Sequence, residues 1–149
     1  MTAKNFFLSV VGAERRVKAM TAQAAHMREI APNTAVQIKT DPVVGSGGNH
    51  SEDMMVGYID SVRNLEDQIG AHLILIHDAE IVLDQLPSMY DTVLRYRYLC
   101  GMRWQEIMAC YPQLSDIRQL YRIHGYALVA AQKVIDRFPC IGKDYCDIG

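Results

Sequence analysis

The chain has 149 residues, of which half are hydrophobic and 21% are charged, and its formal net charge is −2. This composition is typical of one globular domain and excludes a disordered polar tail and a low-complexity fibre. No apolar run reaches the ~18 residues that a membrane span needs, and charges at positions 14 to 16 interrupt the first segment too early for a secretory signal. We therefore expect a cytoplasmic protein that contacts no membrane.

The charge is unevenly distributed along the chain. Residues 1–86 contain seven basic and eleven acidic residues, whereas residues 87–138 contain seven basic and four acidic ones. Six of the seven basic residues in the second segment are arginine. This change of sign favours an anionic partner for the C-terminal part of the chain.

The first predicted helix covers residues 6–30. Its apolar residues recur at alternating steps of three and four, which is the a/d pattern of a helix with one buried seam. The seam consists of Val10, Ala13, Val17, Met20, Ala24, Met27 and Ala31. Because the residue before a proline avoids the helical region, we expect Pro32 to end this helix. Residues 32–50, which contain two prolines and three glycines, are then a flexible loop.

A second and longer helix is predicted from Ser51 to residue 86, with Ser51 as N-cap and two acidic residues in the first turn. Its seam keeps the same alternation and is widened by Ile59 and Leu73. The seam consists of Met55, Tyr58, Val62, Leu65, Ile69, His72, Ile76, Ala79, Leu83 and Leu86. A helix of about 35 residues, or ~50 Å, needs a partner along its length. We expect the first helix to return antiparallel along it, forming a coiled-coil-like hairpin within one chain or between the chains of a homodimer. A plain helical bundle that buries the same residues is the alternative.

After Pro87 the predicted helices are shorter and cover residues 88–100, 103–110 and 115–138. Gly101 is the predicted C-terminal stop of the first, and Ser115 is the predicted N-cap of the third. No segment alternates like a strand, so the fold class is all-α. A helix, a glycine stop, a short helix, a turn and a longer capped helix follow the helix-turn-helix plan. The predicted domains are a hairpin at 1–86, a helix-turn-helix module at 87–139 and a tail at 140–149.

The last predicted helix has two kinds of side chain on its two sides. Ile117, Leu120 and Ala127 face the preceding helix, whereas long donors project from the other side with Tyr121 and His124 at the flanks. The projecting donors are Arg118, Gln119 and Arg122. Arginine and glutamine can contact the edges of guanine and adenine. The candidates for phosphate contacts are Arg95, Arg97 and Arg103. Two helices joined by a turn also occur in many bundles, in which such a charged side is merely solvated.

Residues 94–128 resemble the C-terminal module of ArpU-like small phage transcriptional regulators, which are themselves similar to region 4 of sigma-70 family factors. The shared features are RYRY at 95–98, Gly101, WQEI at 104–107, Ser115, and RQLYRIH at 118–124 followed by Ala127 and Leu128. The N-terminal half is also similar, with a helix, a loop containing proline and glycine, and a long second helix. The resemblance implies a prophage-encoded regulator that binds double-stranded DNA sequence-specifically, with Ser115 and Tyr121 among its contacts and host RNA polymerase as a candidate partner.

Two other classes of function remain open at this stage. A small terminase-like packaging or assembly protein also joins a helix-turn-helix to an oligomerising hairpin, and would bind DNA as a larger ring. A pure interaction module would use the hairpin and bind no DNA. Oligomeric mass separates the first class from a regulator, and salt-sensitive duplex binding excludes the second.

Catalysis and cofactor binding are not expected. His72 and His77 lie five residues apart, on different sides of a helix, and the glycines around Ser46 are typical of a connector. The four cysteines lack zinc-ligand spacing, so we expect reduced thiols and no metal. Trp104 and six tyrosines occur at helical spacings that favour the core over stacking on single-stranded nucleic acid. These tyrosines are Tyr90, Tyr96, Tyr98, Tyr111, Tyr121 and Tyr126.

Overall fold

The computed structural model describes the backbone of residues 1–40 and 50–142, and the side chains of residues 1–30 and 52–142. Within these ranges all the regular secondary structure is helical, as predicted, and there is no strand. The α-helices are α1 (Ala3–Thr40), α2 (His50–Asp84), α3 (Ser88–Leu94), α4 (Trp104–Ala109) and α5 (Ile117–Arg137), and a π-helical turn at Arg95–Leu99 continues α3. None of the described helices combines the length and the apolar character that crossing a bilayer requires.

Helix α1 is longer than predicted, since it continues through Pro32 to Thr40. The prediction that Pro32 ends this helix was therefore wrong. A proline inside a helix removes one N–H group and crowds the preceding turn, but residues 33–40 contain no glycine or second proline to reinforce the break. Of the predicted loop 32–50, the first nine residues belong to α1 and the last begins α2. Residues 41–49 lie outside the described residues.

The chain divides into two compact units, and both long helices contribute to each. Unit 1 comprises Met1–Arg15 and His72–Gly149, and unit 2 comprises Arg16–Ala71. This division differs from the predicted boundary at residue 86. The difference arises because the first turns of α1 and the last turns of α2 belong to the same buried core as α5.

The main core of unit 1 brings the start of α1 against the end of α2 and the middle of α5. Phe6 and Phe7 of α1, Leu83 of α2 and Ala131 of α5 are fully buried in it. The Phe7 ring stacks on Tyr98 of the π-helical turn, with ring centroids 5.2 Å apart. The predicted seam of the first helix begins after both phenylalanines and therefore missed the largest side chains of this core.

The residues that follow α5 close the same core. Gly142 is buried and has a φ of +74°. A Cβ atom added at this position would lie 3.5 Å from the side chains of Met1 and Phe6. Its N–H donates to Asp78 Oδ2 at 3.2 Å. This left-handed φ favours glycine. The predicted tail at 140–149 therefore begins within the packed unit, and residues 143–149 lie outside the described residues.

A second, smaller cluster in unit 1 holds α4 against α5. The fully buried residues of this cluster are Val93 of α3, Ile107 of α4 and Leu120 of α5. Trp104 is partly buried and packs against them. The turn before α4 is made possible by Gly101, whose φ of +66° is the left-handed conformation of a helix C-terminal glycine. The predicted helix at 88–100 thus ends at its predicted glycine, although its last turn is π-helical.

The described part of unit 2 consists of residues 16–40 of α1 and residues 50–71 of α2. Ala24 is buried, and Val17, Met20 and Met27 are half-buried, so the predicted seam is the less exposed side of α1 here. Arg28 of α1 forms an ion pair with Glu66 of α2. The two helices therefore meet within this unit.

The seam of α2 is narrower than predicted. Tyr58, Val62 and Leu65 are half-buried, as a seam requires. Ile59 and Leu73, which were expected to widen it, are instead 47% and 49% exposed. Periodicity locates the centre of a helix face better than its edges, because the partner helix covers only part of the circumference.

Candidate nucleic-acid interface

The first turn of α5 is fixed by side chains on its preceding residues. Asp116 is the N-cap, in an extended conformation, and its carboxylate accepts the Arg118 N–H at 3.1 Å. The Ser115 N–H donates to Gln119 Oε1 at 3.2 Å. The prediction of Ser115 as the N-cap was therefore wrong by one residue. Both Ser and Asp are favoured at this position, and the pattern alone does not separate adjacent candidates.

The predicted base-contacting residues lie on the outward side of α5. The side chain of Arg118 is 84% exposed, and those of Gln119 and Arg122 are also exposed. Leu120, which lies between them in sequence, is fully buried against Ile107. Arg118 and Arg122 are four residues apart and so share one side of the helix. The first two turns of α5 thus expose two guanidinium groups and the Gln119 amide, whose oxygen already accepts the Ser115 N–H, while the opposite side of the helix is packed against α4.

Two tyrosines of α5 are exposed, in contrast to the prediction that they belong to the core. Tyr121 is 46% exposed and Tyr126 is 62% exposed. The Tyr121 ring meets Trp104 edge to face, with centroids 5.1 Å apart. Tyr98 is buried as predicted. The spacing was misleading because positions 121 and 126 lie outside the stripe defined by Leu120 and Ala127.

Arg97 is used to fix the turn before α4. Its guanidinium lies 4.7 Å from the centroid of the Trp104 ring, and its Nη1 donates to the Met102 carbonyl at 3.1 Å. Trp104 lies under this guanidinium and is half-buried, which is less than predicted. Ile107 is fully buried, as predicted. Arg97 is therefore a residue that positions the short helix, and only part of its donor capacity is left for a phosphate.

Arg95 has a structural environment that the sequence did not indicate. Its guanidinium hydrogen-bonds to Glu80 of α2 and forms ion pairs with Asp91 at 3.0 Å and Asp84 at 3.6 Å. The Glu80 hydrogen bond raises the pKa of Arg95, although partial burial opposes the rise. Three carboxylates therefore surround this arginine, which links the π-helical turn to α3 and α2. Its predicted contact with phosphate stays a prediction.

Arg103 differs from these two arginines in being exposed and without an ion pair among the described residues. Its backbone N–H donates to the Glu106 carboxylate at 2.7 Å, so that this N–H group at the N-terminus of α4 has a hydrogen-bond acceptor. The side chain is thus left to solvent at the turn that precedes the short helix. Of the three predicted phosphate contacts, Arg103 is the one that retains all its guanidinium donors.

His124 lies at the inner edge of the candidate interface. Its Nε2 is 3.0 Å from the Tyr98 hydroxyl, and its ring meets Trp104 with centroids 4.9 Å apart. Burial lowers the pKa of His124, and the charges of Arg97 and Lys4 lower it further. From the sequence, His124 was expected only at a flank of the projecting side. Its position four residues after Leu120 is the signal that assigns it to the inward side of α5.

Lys133 and Arg137 are two further basic residues of α5, beyond those predicted from the sequence to contact DNA. Both are exposed on α5. They continue the side of the helix on which Arg118 and Arg122 lie, since positions 118, 122, 133 and 137 fall within an arc of about 100° at 100° per residue. The spacing of these four residues in the sequence is the signal for a basic side of α5 that extends beyond its first two turns.

Comparisons with known proteins identify no relative: no family model, no curated protein and no solved structure matches this chain. Within the part of the chain that the structure describes, no three His, Cys, Asp or Glu residues converge as metal ligands do. Cys100, Cys110 and Cys140 are free thiols. The functional interpretation therefore depends on the outward side of α5 and the turn before α4.

Proposed function

We propose that this protein binds double-stranded DNA through α5, with α4 and α5 acting as a helix-turn-helix. In such a motif the N-terminal part of the second helix enters the major groove. The observation that carries the proposal is the contrast between fully buried Leu120 and its exposed neighbours Arg118, Gln119 and Arg122. Arginine can bond guanine O6 and N7 together, and glutamine can bond adenine N6 and N7.

Phosphate contacts in this proposal come from residues beside the recognition turns. Arg103 is exposed at the turn before α4, and Lys133 and Arg137 are exposed farther along α5. Such contacts supply affinity without sequence information and make binding salt-dependent. The excess of basic over acidic residues between positions 87 and 138 supports the same partner.

A role in transcription follows from the sequence resemblance to ArpU-like regulators and sigma-70 region 4. In this role the protein binds an operator or promoter beside host RNA polymerase, and α1 and α2 form an antiparallel hairpin that is separate from the DNA contacts. The ion pair between Arg28 and Glu66 in unit 2, and the shared burial of Phe7 and Leu83 in unit 1, support side-by-side packing of these helices.

The test is a selection from a random duplex library with the full chain, followed by affinity measurements on the selected duplex and on a scrambled one. We expect preferential binding to the selected duplex, and a binding constant that falls linearly with salt on a logarithmic scale. Binding that is absent from both duplexes, or that does not change with salt, would overturn the proposal and favour an interaction module.

A further inference from the structure

A second stripe of residues on α2 is exposed in unit 2. It consists of Glu52, Val56, Ile59 and Arg63, which follow one another at steps of four, three and four. This spacing places all four on one side of a helix. Val56 is 55% exposed, Ile59 is 47% exposed, and both charged residues are exposed. The stripe is distinct from the half-buried seam of Tyr58, Val62 and Leu65.

An apolar groove runs beside this stripe. It has a volume of about 530 Å³ and lies between α1 and α2 within unit 2. Its lining residues are Met27, Arg28, Met55, Tyr58, Ile59, Val62 and Arg63. Met54 and Met55, next to Val56, are also exposed. Contiguous apolar surface with a charged rim marks an interaction site, and methionine adapts its shape to a partner.

The order of residues along the stripe is self-complementary. In an antiparallel pair of helices an a-type position faces a d-type position of the other helix. With the stripe paired about its midpoint, Val56 faces the partner's Ile59, and Glu52 faces the partner's Arg63. A twofold axis produces each contact twice. A parallel arrangement would instead place like charges against each other at both ends.

We propose that a second copy of this chain packs antiparallel on the Glu52–Arg63 stripe and forms a twofold-symmetric dimer. Among the described residues neither Glu52 nor Arg63 has an ion pair, so both charges are available to the partner. The dimer buries the exposed Val56 and Ile59 and closes the open side of the groove. This inference goes beyond DNA binding and does not depend on it, because every residue involved belongs to unit 2.

The experiment is sedimentation velocity on the full chain over a concentration series, in the absence of DNA. We expect a monomer–dimer equilibrium in the parent. Arg63→Glu places two acidic residues opposite each other at both ends of the interface, and Glu52→Arg places two basic residues there. Each variant alone should weaken the dimer at least about tenfold. An equimolar mixture of the two should regain it, since in the mixed dimer both facing pairs are of opposite charge.

The control is Arg16→Glu, the same charge change at an exposed residue of α1 outside the stripe, and it should dimerise like the parent. Circular dichroism of each variant checks that the helices are retained, as substitutions at exposed positions should allow. A parent that remains monomeric, a parent that forms a larger ring, or an Arg63→Glu variant that dimerises normally overturns the proposal. A mixture that fails to regain the dimer overturns the antiparallel register.

Discussion

The arginines of the C-terminal helices differ in how many N–H groups the protein itself occupies. Arg95 is surrounded by three carboxylates, and Arg97 is bonded to a carbonyl and covers Trp104. Arg118 and Arg122 project into solvent, and Arg118 has only a long contact of 3.9 Å with Asp116. A guanidinium has five donors in a fixed geometry, and those already bonded cannot contact a base or a phosphate. The exposure of each arginine and the hydrogen bonds that it already makes therefore distinguish the candidates for nucleic-acid contacts better than charge alone does.

Arg118→Ala tests the base-contacting role of the outward side of α5. We expect a loss of about 1–3 kcal/mol on the selected duplex and a relaxed preference at one position of the site, because a bidentate contact to guanine is removed. Lys133→Ala is the matched control: it removes one positive charge from the same side of α5 and should weaken all duplexes alike. Fluorescence anisotropy on single-position variants of the duplex separates the two effects. Equal loss of preference in both variants would contradict the assignment.

Arg103→Ala and Arg95→Ala form a second pair, since each removes one arginine from the segment that precedes α5. We expect Arg103→Ala to reduce the slope of affinity against salt by about one, because a single phosphate contact is lost. Arg95→Ala should leave this slope unchanged and lower stability instead, since it leaves three carboxylates without their cation. Affinity at several salt concentrations and urea unfolding distinguish these outcomes. A reduced salt slope in Arg95→Ala would restore it as a DNA contact.

His124 makes stability dependent on pH in a defined direction. Its pKa in the folded protein is lowered from the ordinary value of 6.5, so the unfolded chain binds a proton at a higher pH than the folded one does. Stability should therefore be retained above about pH 6.5 and lost as the pH falls toward the folded-state pKa. His124→Gln, which retains a neutral hydrogen-bonding side chain for Tyr98, should flatten this part of the profile. Urea unfolding across pH 5 to 8 (about the range in which histidine titrates) measures it, with the exposed His77→Gln as control.

At the level of elements, the contact between α4 and α5 is held by very few large side chains. Ile107 is the one fully buried residue of α4, and it meets Leu120 and Val93. Leu120→Ala should cost about 2–5 kcal/mol, because it leaves a cavity that the short helix cannot fill. Val129→Ala on the same helix, at a position 58% exposed, should change stability by less than about 0.5 kcal/mol. Thermal or urea unfolding of both variants checks the contrast, and similar losses would contradict the packing of this cluster.

The elements that could be predicted from the sequence are those with a repeating apolar pattern and a clear start or stop. The extent of α5 to within two residues, the stop at Gly101 and the burial of Leu120 and Ile107 are of this kind. Pro32 was misleading because the preference of a single proline against helix is outweighed by the helical residues on both sides of it. The role of Arg95 depends on Glu80, which is distant in sequence and could not be paired with it by spacing. The candidate interface was thus predictable in its location, whereas the division of its arginines required the three-dimensional contacts.

At the level of the whole molecule, α4 and α5 do not have a core of their own. Phe6, Phe7 and Leu83 are fully buried in the same cluster as Tyr98 and Ala131. Deleting one buried phenylalanine side chain typically costs 3–5 kcal/mol, and a whole domain is stable by only about 5–15 kcal/mol. A fragment that begins at residue 87 lacks all of these side chains except the last two. Helices α3 to α5 and the unit 1 ends of the two long helices are therefore one folding unit.

This arrangement predicts how the chain can be shortened. Replacing residues 16–71 by a flexible connector removes unit 2 and retains every buried residue of the unit 1 core. We expect this variant to unfold cooperatively, to sediment as a monomer at all concentrations, and to bind scrambled duplex with the salt slope of the full chain. The fragment 87–142 serves as the comparison and should show no cooperative transition, because it exposes the surface that Phe6 and Phe7 cover. Circular dichroism melting, sedimentation and anisotropy provide the three readouts. A shortened chain that folds but no longer binds duplex in a salt-dependent way would contradict the assignment of the DNA interface to unit 1.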